Sequence, residues 1–118
     1  MKLEHNPLGD ASSLAAAMSD LANTIDARAG ADPGSSWTAK LLAGGPSLCA
    51  KKLGEEGVEA ALAVASESDA AVTQEAADLV YHLMVALRAR GVTLDKVADV
   101  LRAREGVSGL AEKAARND

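Results

Sequence analysis

Lys51-Lys52-Leu53-Gly54-Glu55-Glu56-Gly57-Val58-Glu59, read together with Glu75-Ala76-Ala77-Asp78 downstream, decides the fold of this chain. Both stretches read as helix, and at about 3.6 residues per turn the positions three or four apart share a face. Glu56 and Glu59 therefore project side by side, as do Glu75 and Asp78. Between them Ser66-Glu67-Ser68-Asp69 is a short turn, so the two helices are expected to fold back as an antiparallel hairpin with the two acid pairs face to face.

Such a gathering has an energetic cost. Like charges at helical spacing destabilise a helix by about a few tenths of a kcal/mol per pair, and in a partly dry cleft the desolvation is larger still. A cation offsets both terms. With only two histidines and one cysteine in the chain, the available donors are oxygens, which suit Mg²⁺, or Mn²⁺, better than zinc. The sequence thus predicts a Mg²⁺ site between two helices, with Glu56, Glu59, Glu75 and Asp78 as ligands. The plain alternative is a solvated charged face. Against it, the downstream acids precede an apolar run, Leu79, Val80, Leu83, Met84, Val85 and Leu87, and Gly57 sits mid-helix at a cost of about 1 kcal/mol.

Outward from this hairpin, the pattern is helical throughout. Residues 1–11 hold Pro7 and Gly9 without periodicity and read as a flexible lead-in. From Ser12 or Ser13, either a possible cap, the stripe Leu14, Met18, Leu21, Ile25 predicts a first helix to about Ala29. A loop follows through Gly30-Ala31-Asp32-Pro33-Gly34-Ser35-Ser36. Trp37 to Leu42 suits a turn or two closed by Gly44-Gly45. Pro46 fits the first turn of the next helix, with Leu48, Leu53, Ala60 and Val64 carrying it to Ser66. Ser68 or Asp69 caps a third long helix that ends at Arg90 with Gly91 beyond it, and its wide apolar surface places it at the centre of the bundle. Thr93 caps a fourth, whose buried side is expected to be Leu94, Val97, Val100 and Leu101. The helical domain is bounded at 12–106, and 107–118 reads as a tail.

Composition narrows the function. Of 118 residues 48% are hydrophobic but only 2% aromatic, with no phenylalanine. Alanine-rich helices approach closely yet bury little area, so an all-α bundle of this size is expected to complete its core as a homodimer. A net charge of −5 argues against a nucleic-acid partner. No apolar run approaches the roughly 18 residues of a membrane span and no secretion signal is visible, so a cytoplasmic protein is expected. Cys49 cannot form an internal disulfide and reads as a packing residue.

Several side chains have two readings. Trp37 is either an anchor for its loop or part of a lid in which Ser35, Ser36, Thr38 and Lys40 face a phosphate. Lys52 pairs with Glu55 or Glu56 on the helix surface, or contacts phosphate beside the metal. His82, one turn beyond Asp78, is a packed helix residue or orients the site.

The separated motifs Gly54-Glu55-Glu56-Gly57-Val58-Glu59 and Glu75-Ala76-Ala77-Asp78 resemble the E-E-x-x-E and E-x-x-D pattern of the all-α NTP pyrophosphatase superfamily, the MazG-like group. The flanks Ser36-Trp37-Thr38-Ala39-Lys40-Leu41, Lys52-Leu53-Gly54 and Asp78-Leu79-Val80-Tyr81-His82-Leu83 are similar to those of its phosphoribosyl-ATP pyrophosphatase family, over roughly Leu21 to Arg104. The resemblance implies Mg²⁺-dependent hydrolysis of phosphoribosyl-ATP to phosphoribosyl-AMP and pyrophosphate, the second step of histidine biosynthesis. It implies metal ligands at Glu56, Glu59, Glu75 and Asp78, Glu55 as a further ligand or orienting neighbour, and Glu55 or Glu59 as proton acceptor. Ser36, Trp37, Lys40, Lys52 and His82 are the expected substrate side, with Lys40, Lys52 and Arg102 as candidates for the 5′-phosphate. Where the family usually carries tyrosine this chain has Trp37, which retains stacking but no phenolic hydroxyl. A housekeeping (d)NTP pyrophosphatase of the same superfamily, and a non-catalytic helical interaction module, are the competing expectations.

Overall fold

The computed structural model describes residues 6–106 together with Lys113 and Arg116. Five helices follow in order: α1 Ser12–Arg28, α2 Trp37–Ala43, α3 Gly45–Ser66, α4 Asp69–Arg90 and α5 Leu94–Ala103. Among the described residues there is no strand, so the all-α expectation holds. The tail expected from 107 onward lies outside the described residues apart from the exposed Lys113 and Arg116.

The long hairpin forms where it was expected. Ser68 caps α4, its hydroxyl oxygen accepting from the Ala71 N–H, and Gly91 closes the helix with φ +70. α3 and α4 pack along their length, and α1 and α2 also lie on α4, which is thus the central rod. Ile25, Leu41, Cys49, Met84 and Val85 form the buried cluster, with Met18, Leu21 and Val80 packed around it. Each large apolar side chain buried there contributes about 2 kcal/mol. The set is small, as an alanine-rich sequence dictates.

The corner between α2 and α3 rests on two glycines. A Cβ at Gly44 would stand 2.3 Å from Leu48 Cδ2, and Gly45 adopts φ +75, a region that side chains rarely enter. The chain can therefore reverse in a single step and bring α2 down beside the acid-bearing part of α3.

Four sequence expectations need correction. Neither Ser12 nor Ser13 caps α1; Ala11 occupies that position without a side-chain bond, and the Asp10 carboxylate takes up the Ser12 N–H at 2.8 Å instead. Leu14 is 52% exposed, so the buried side of α1 runs through Met18, Leu21 and Ile25 instead. On α3 Val64 is 71% exposed while Ala63 is fully buried; the heptad line Cys49, Glu56, Ala63, rather than the line through Val64, meets α4. Val100 and Leu101 are exposed, and α5 buries no residue fully. It docks through its first turn, where Leu94 reaches the core, and its later turns leave Val100 and Leu101 exposed.

Candidate metal centre and substrate cleft

Glu56 occupies the inner line of α3 between Cys49 and Ala63, which are 2% and 0% exposed. The small Ala63 lets α4 come close, so Glu56 is turned toward Glu75 and Asp78 on the opposing helix. One carboxylate oxygen from each of Glu56, Glu75 and Asp78 lies within 4.8 Å of the other two. Glu56 and Glu75 are half-buried and Asp78 is exposed. Glu59, the fourth expected member, stands outside this tight set but beside it: its charge acts on both Glu56 and Glu75.

The electrostatics record the crowding. Burial pushes the Glu56 carboxyl above its ordinary range, and the Glu59 charge raises it further, as do Asp78 and a hydrogen bond with Glu59; His82 acts the other way. Glu75 is raised first by burial and then by Glu59, Asp78, Glu56 and Glu67. Glu56 Oε2 and Glu75 Oε2 are shut off from solvent and have no hydrogen-bond partner among the described residues. A native fold rarely leaves buried carboxylate oxygens without a donor. Two unsatisfied oxygens aimed into one carboxylate cluster have the donor chemistry for a hard divalent cation, so the residues present fit such an ion.

His82 is 9% exposed. Its Nδ1–H donates to the Asp78 backbone carbonyl at 2.8 Å, and its ring stands edge-on to Tyr81 with centroids 4.9 Å apart. The imidazole is held one turn from Asp78, and its charge acts on Glu56.

α2 borders the cluster from the side. Ser36 caps it, the hydroxyl oxygen accepting from the Ala39 N–H at 3.1 Å. Trp37 does not pin the loop to the core, being 45% exposed; Thr38, at 4%, takes that place and its hydroxyl hydrogen-bonds the Tyr81 hydroxyl on α4. The ammonium groups of Lys40 and Lys52 each stand 5.8 Å from the Trp37 ring centroid, which joins residues from α2 and α3 into a basic, aromatic wall. Lys52 also pairs with Glu55 at 3.3 Å, rather than with Glu56. Ser36, Trp37, Lys40 and Lys52 therefore lie together, with Lys52 one turn of α3 ahead of Glu56. Arg102 lines neither of the polar pockets on this wall; it rides on α5, which docks near the far end of α4. Arg28 reads as an ordinary helix-end charge in the sequence yet lines the pocket that also contains Thr38 and Tyr81.

A helical hairpin that gathers carboxylates beside a basic wall is the build expected of an all-α polyphosphate hydrolase. Comparison with known proteins narrows this. Residues 18–105 match the family described as phosphoribosyl-ATP pyrophosphohydrolase. A phosphoribosyl-ATP pyrophosphatase of Cereibacter sphaeroides is 60% identical over 96 residues, covering 81% of this chain and 93% of the relative. Those of Rhodobacter capsulatus (58% over 100 residues; 85% and 97% covered) and Ruegeria pomeroyi (57% over 97 residues; 82% and 92%) are similar to nearly the same extent. This chain belongs to the phosphoribosyl-ATP pyrophosphohydrolase family.

Proposed function

We propose that the protein hydrolyses the α–β phosphoanhydride of phosphoribosyl-ATP, giving phosphoribosyl-AMP and pyrophosphate, and that it does so with Mg²⁺ held by Glu56, Glu75 and Asp78, with Glu59 beside them. The observation that carries the metal part is the pair of orphaned oxygens, Glu56 Oε2 and Glu75 Oε2, within the carboxylate set. When bound, the ion would draw charge from the phosphate oxygens and make a water more acidic. The chain's own residues do the rest. Glu55 is engaged by Lys52, and Glu59, beside the cluster and without a cation partner among the described residues, is the carboxylate that accepts the proton of the attacking water. His82 keeps Asp78 and its turn of helix in place through the Nδ1 bond. Lys40 and Lys52 offer positive charge to the departing pyrophosphate, which leaves with the bonding electron pair while water oxygen bonds to phosphorus. Trp37 presents an aromatic face for the adenine.

Homodimerisation belongs to the same proposal. Val58 and Leu62, one turn apart on α3, are 60% and 57% exposed, and Leu83 of α4 is 39% exposed. Nothing within 4 Å would meet a Cβ at Gly54 or Gly57, so an outside surface can come close to the α3 backbone beside Val58. Among the described residues no helix is long and apolar enough to cross a membrane, and the free thiol of buried Cys49 suits the reducing cytoplasm in which we place the enzyme.

Turnover of phosphoribosyl-ATP with Mg²⁺, measured beside a panel of dUTP, dCTP and ATP, tests the reading. Selective release of pyrophosphate from phosphoribosyl-ATP is expected. Vigorous dUTP or dCTP hydrolysis with no action on phosphoribosyl-ATP would contradict it. Light scattering is expected to give twice the chain mass, falling to one chain in Leu62→Glu.

A further inference from the structure

We propose that the pocket between the end of α1 and the start of α2 is a second anion subsite, centred on Arg28, that takes the 5′-phosphate of the ribosyl group carried on the substrate's adenine. The proposal rests on the activity inferred above and names what that site uses to tell its substrate from simple nucleoside triphosphates.

The pocket is a cavity of about 450 Å³ lined by Arg28, Ser36, Trp37, Thr38 and Tyr81 among others. Its cation is uncommitted. Arg88, the other arginine facing this end of α1, is spent on Asp26 at 3.1 Å, whereas the Arg28 guanidinium has no ion pair or hydrogen bond among the described residues. A guanidinium with its donors free matches the oxygens of a phosphate monoester two at a time.

The hydroxyls beside it are also in the right state. Ser36 Oγ accepts from the Ala39 N–H, and its own proton is left to donate. Thr38 and Tyr81 share one hydrogen bond between two hydroxyls, which consumes one of their two protons and leaves the other. Ser35, by contrast, has given its proton to the Asp32 carbonyl. Arg28, Ser36 and the Thr38–Tyr81 pair thus supply three donor groups around one opening.

Their grouping around one indole matches the parts of the substrate. Phosphoribosyl-ATP carries a triphosphate at one end, a monophosphate at the other, and an adenine between. Here Lys52 and Lys40 stand over the Trp37 ring, and Arg28 lines a pocket that Trp37 also lines. A plain (d)NTP has nothing to place against Arg28, so this contact raises affinity only for the ligand phosphorylated at both ends.

Arg28 is exposed, so Arg28→Ala should fold; circular dichroism checks this. Relative to wild type, KM for phosphoribosyl-ATP is expected to rise about tenfold or more in Arg28→Ala with kcat within about twofold, and Arg28→Lys to recover part of the loss. A thermal-shift arm identifies the phosphate. Ribose 5-phosphate is expected to raise the Tm of wild type but not of Arg28→Ala, while inorganic pyrophosphate with Mg²⁺ protects both equally. An unchanged KM in Arg28→Ala, or loss of pyrophosphate protection with ribose 5-phosphate protection intact, would overturn the subsite. Wild-type protein that binds ribose 5-phosphate through Arg28 yet never hydrolyses phosphoribosyl-ATP would overturn the activity and leave the subsite standing.

Discussion

The α3–α4 hairpin and the α2 wall beside it are built on opposite principles. The hairpin forces like charges together: Glu56 and Glu75 each carry an occluded oxygen with no donor, and each is raised by burial and by its acidic neighbours. The α2 side is open and its charges are spaced around an exposed indole, with Lys40 and Lys52 at equal distance from the Trp37 ring. Frustration is stored where the chemistry would occur, and recognition is left to groups that fold without strain. The two regions should therefore answer mutation differently, one trading stability against activity and the other changing affinity alone.

The largest contrast is expected from isosteric neutralisation. Glu56→Gln or Asp78→Asn should lower kcat by about a thousandfold or more, yet the metal-free protein should be at least as stable as wild type, because a repelling charge has gone. Activity and metal-free Tm measured on the same preparations decide it; a large loss of metal-free stability would mean that these carboxylates hold the fold together. Trp37→Ala comes next, with KM raised about tenfold and Tm hardly moved. Trp37→Tyr should stay close to wild type, and an equal loss in both would point to the indole N–H rather than an aromatic face.

Acid titration separates the regions by sign. The carboxyls of Glu56 and Glu75 are raised above the ordinary 4.5, so the folded state binds their protons before the unfolded chain does. Stability of the metal-free protein should then increase as pH falls from neutrality through the folded-state values toward 4.5, and the gain should vanish in Glu56→Gln combined with Glu75→Gln. Saturating Mg²⁺ reverses the trend, since protons compete with the ion. Melting curves from pH 7.5 to 5, with and without the ion, check both slopes. The smallest effect belongs to neither region: Thr93 caps α5 by accepting from the Lys96 N–H, and Thr93→Ala should cost about 1 kcal/mol of stability in chemical denaturation with kcat unchanged.

How much of this was legible in the sequence depended on whether the signal was local. Helix spacing alone paired Glu56 with Glu59 and Glu75 with Asp78, and the short turn at Ser66 to Asp69 implied that they meet. The Ser68 cap and the Gly91 stop were equally visible, because capping is settled within a few residues. Register was less so. Ala63 and Val64 are both apolar and one position decides which is buried, a choice made by α4 and not by the periodicity of α3. Val100 and Leu101 continue the apolar stripe of α5, but a stripe says only what could be covered. Arg28 carried no signal at all, since its pocket is made by residues of α2 and α4 that reach it only after the Gly44-Gly45 corner has folded.

Calorimetric titration of Mg²⁺ into the metal-free protein, repeated for Glu56→Gln and Asp78→Asn and in two buffers of different ionisation enthalpy, tests the hairpin site most directly. Saturable binding is expected of wild type, with proton release that grows as pH falls because the raised carboxyls of Glu56 and Glu75 must give up protons to the ion, and both variants should lose the binding. Absence of binding by wild type, or undiminished binding by the variants, would contradict a metal centre between α3 and α4.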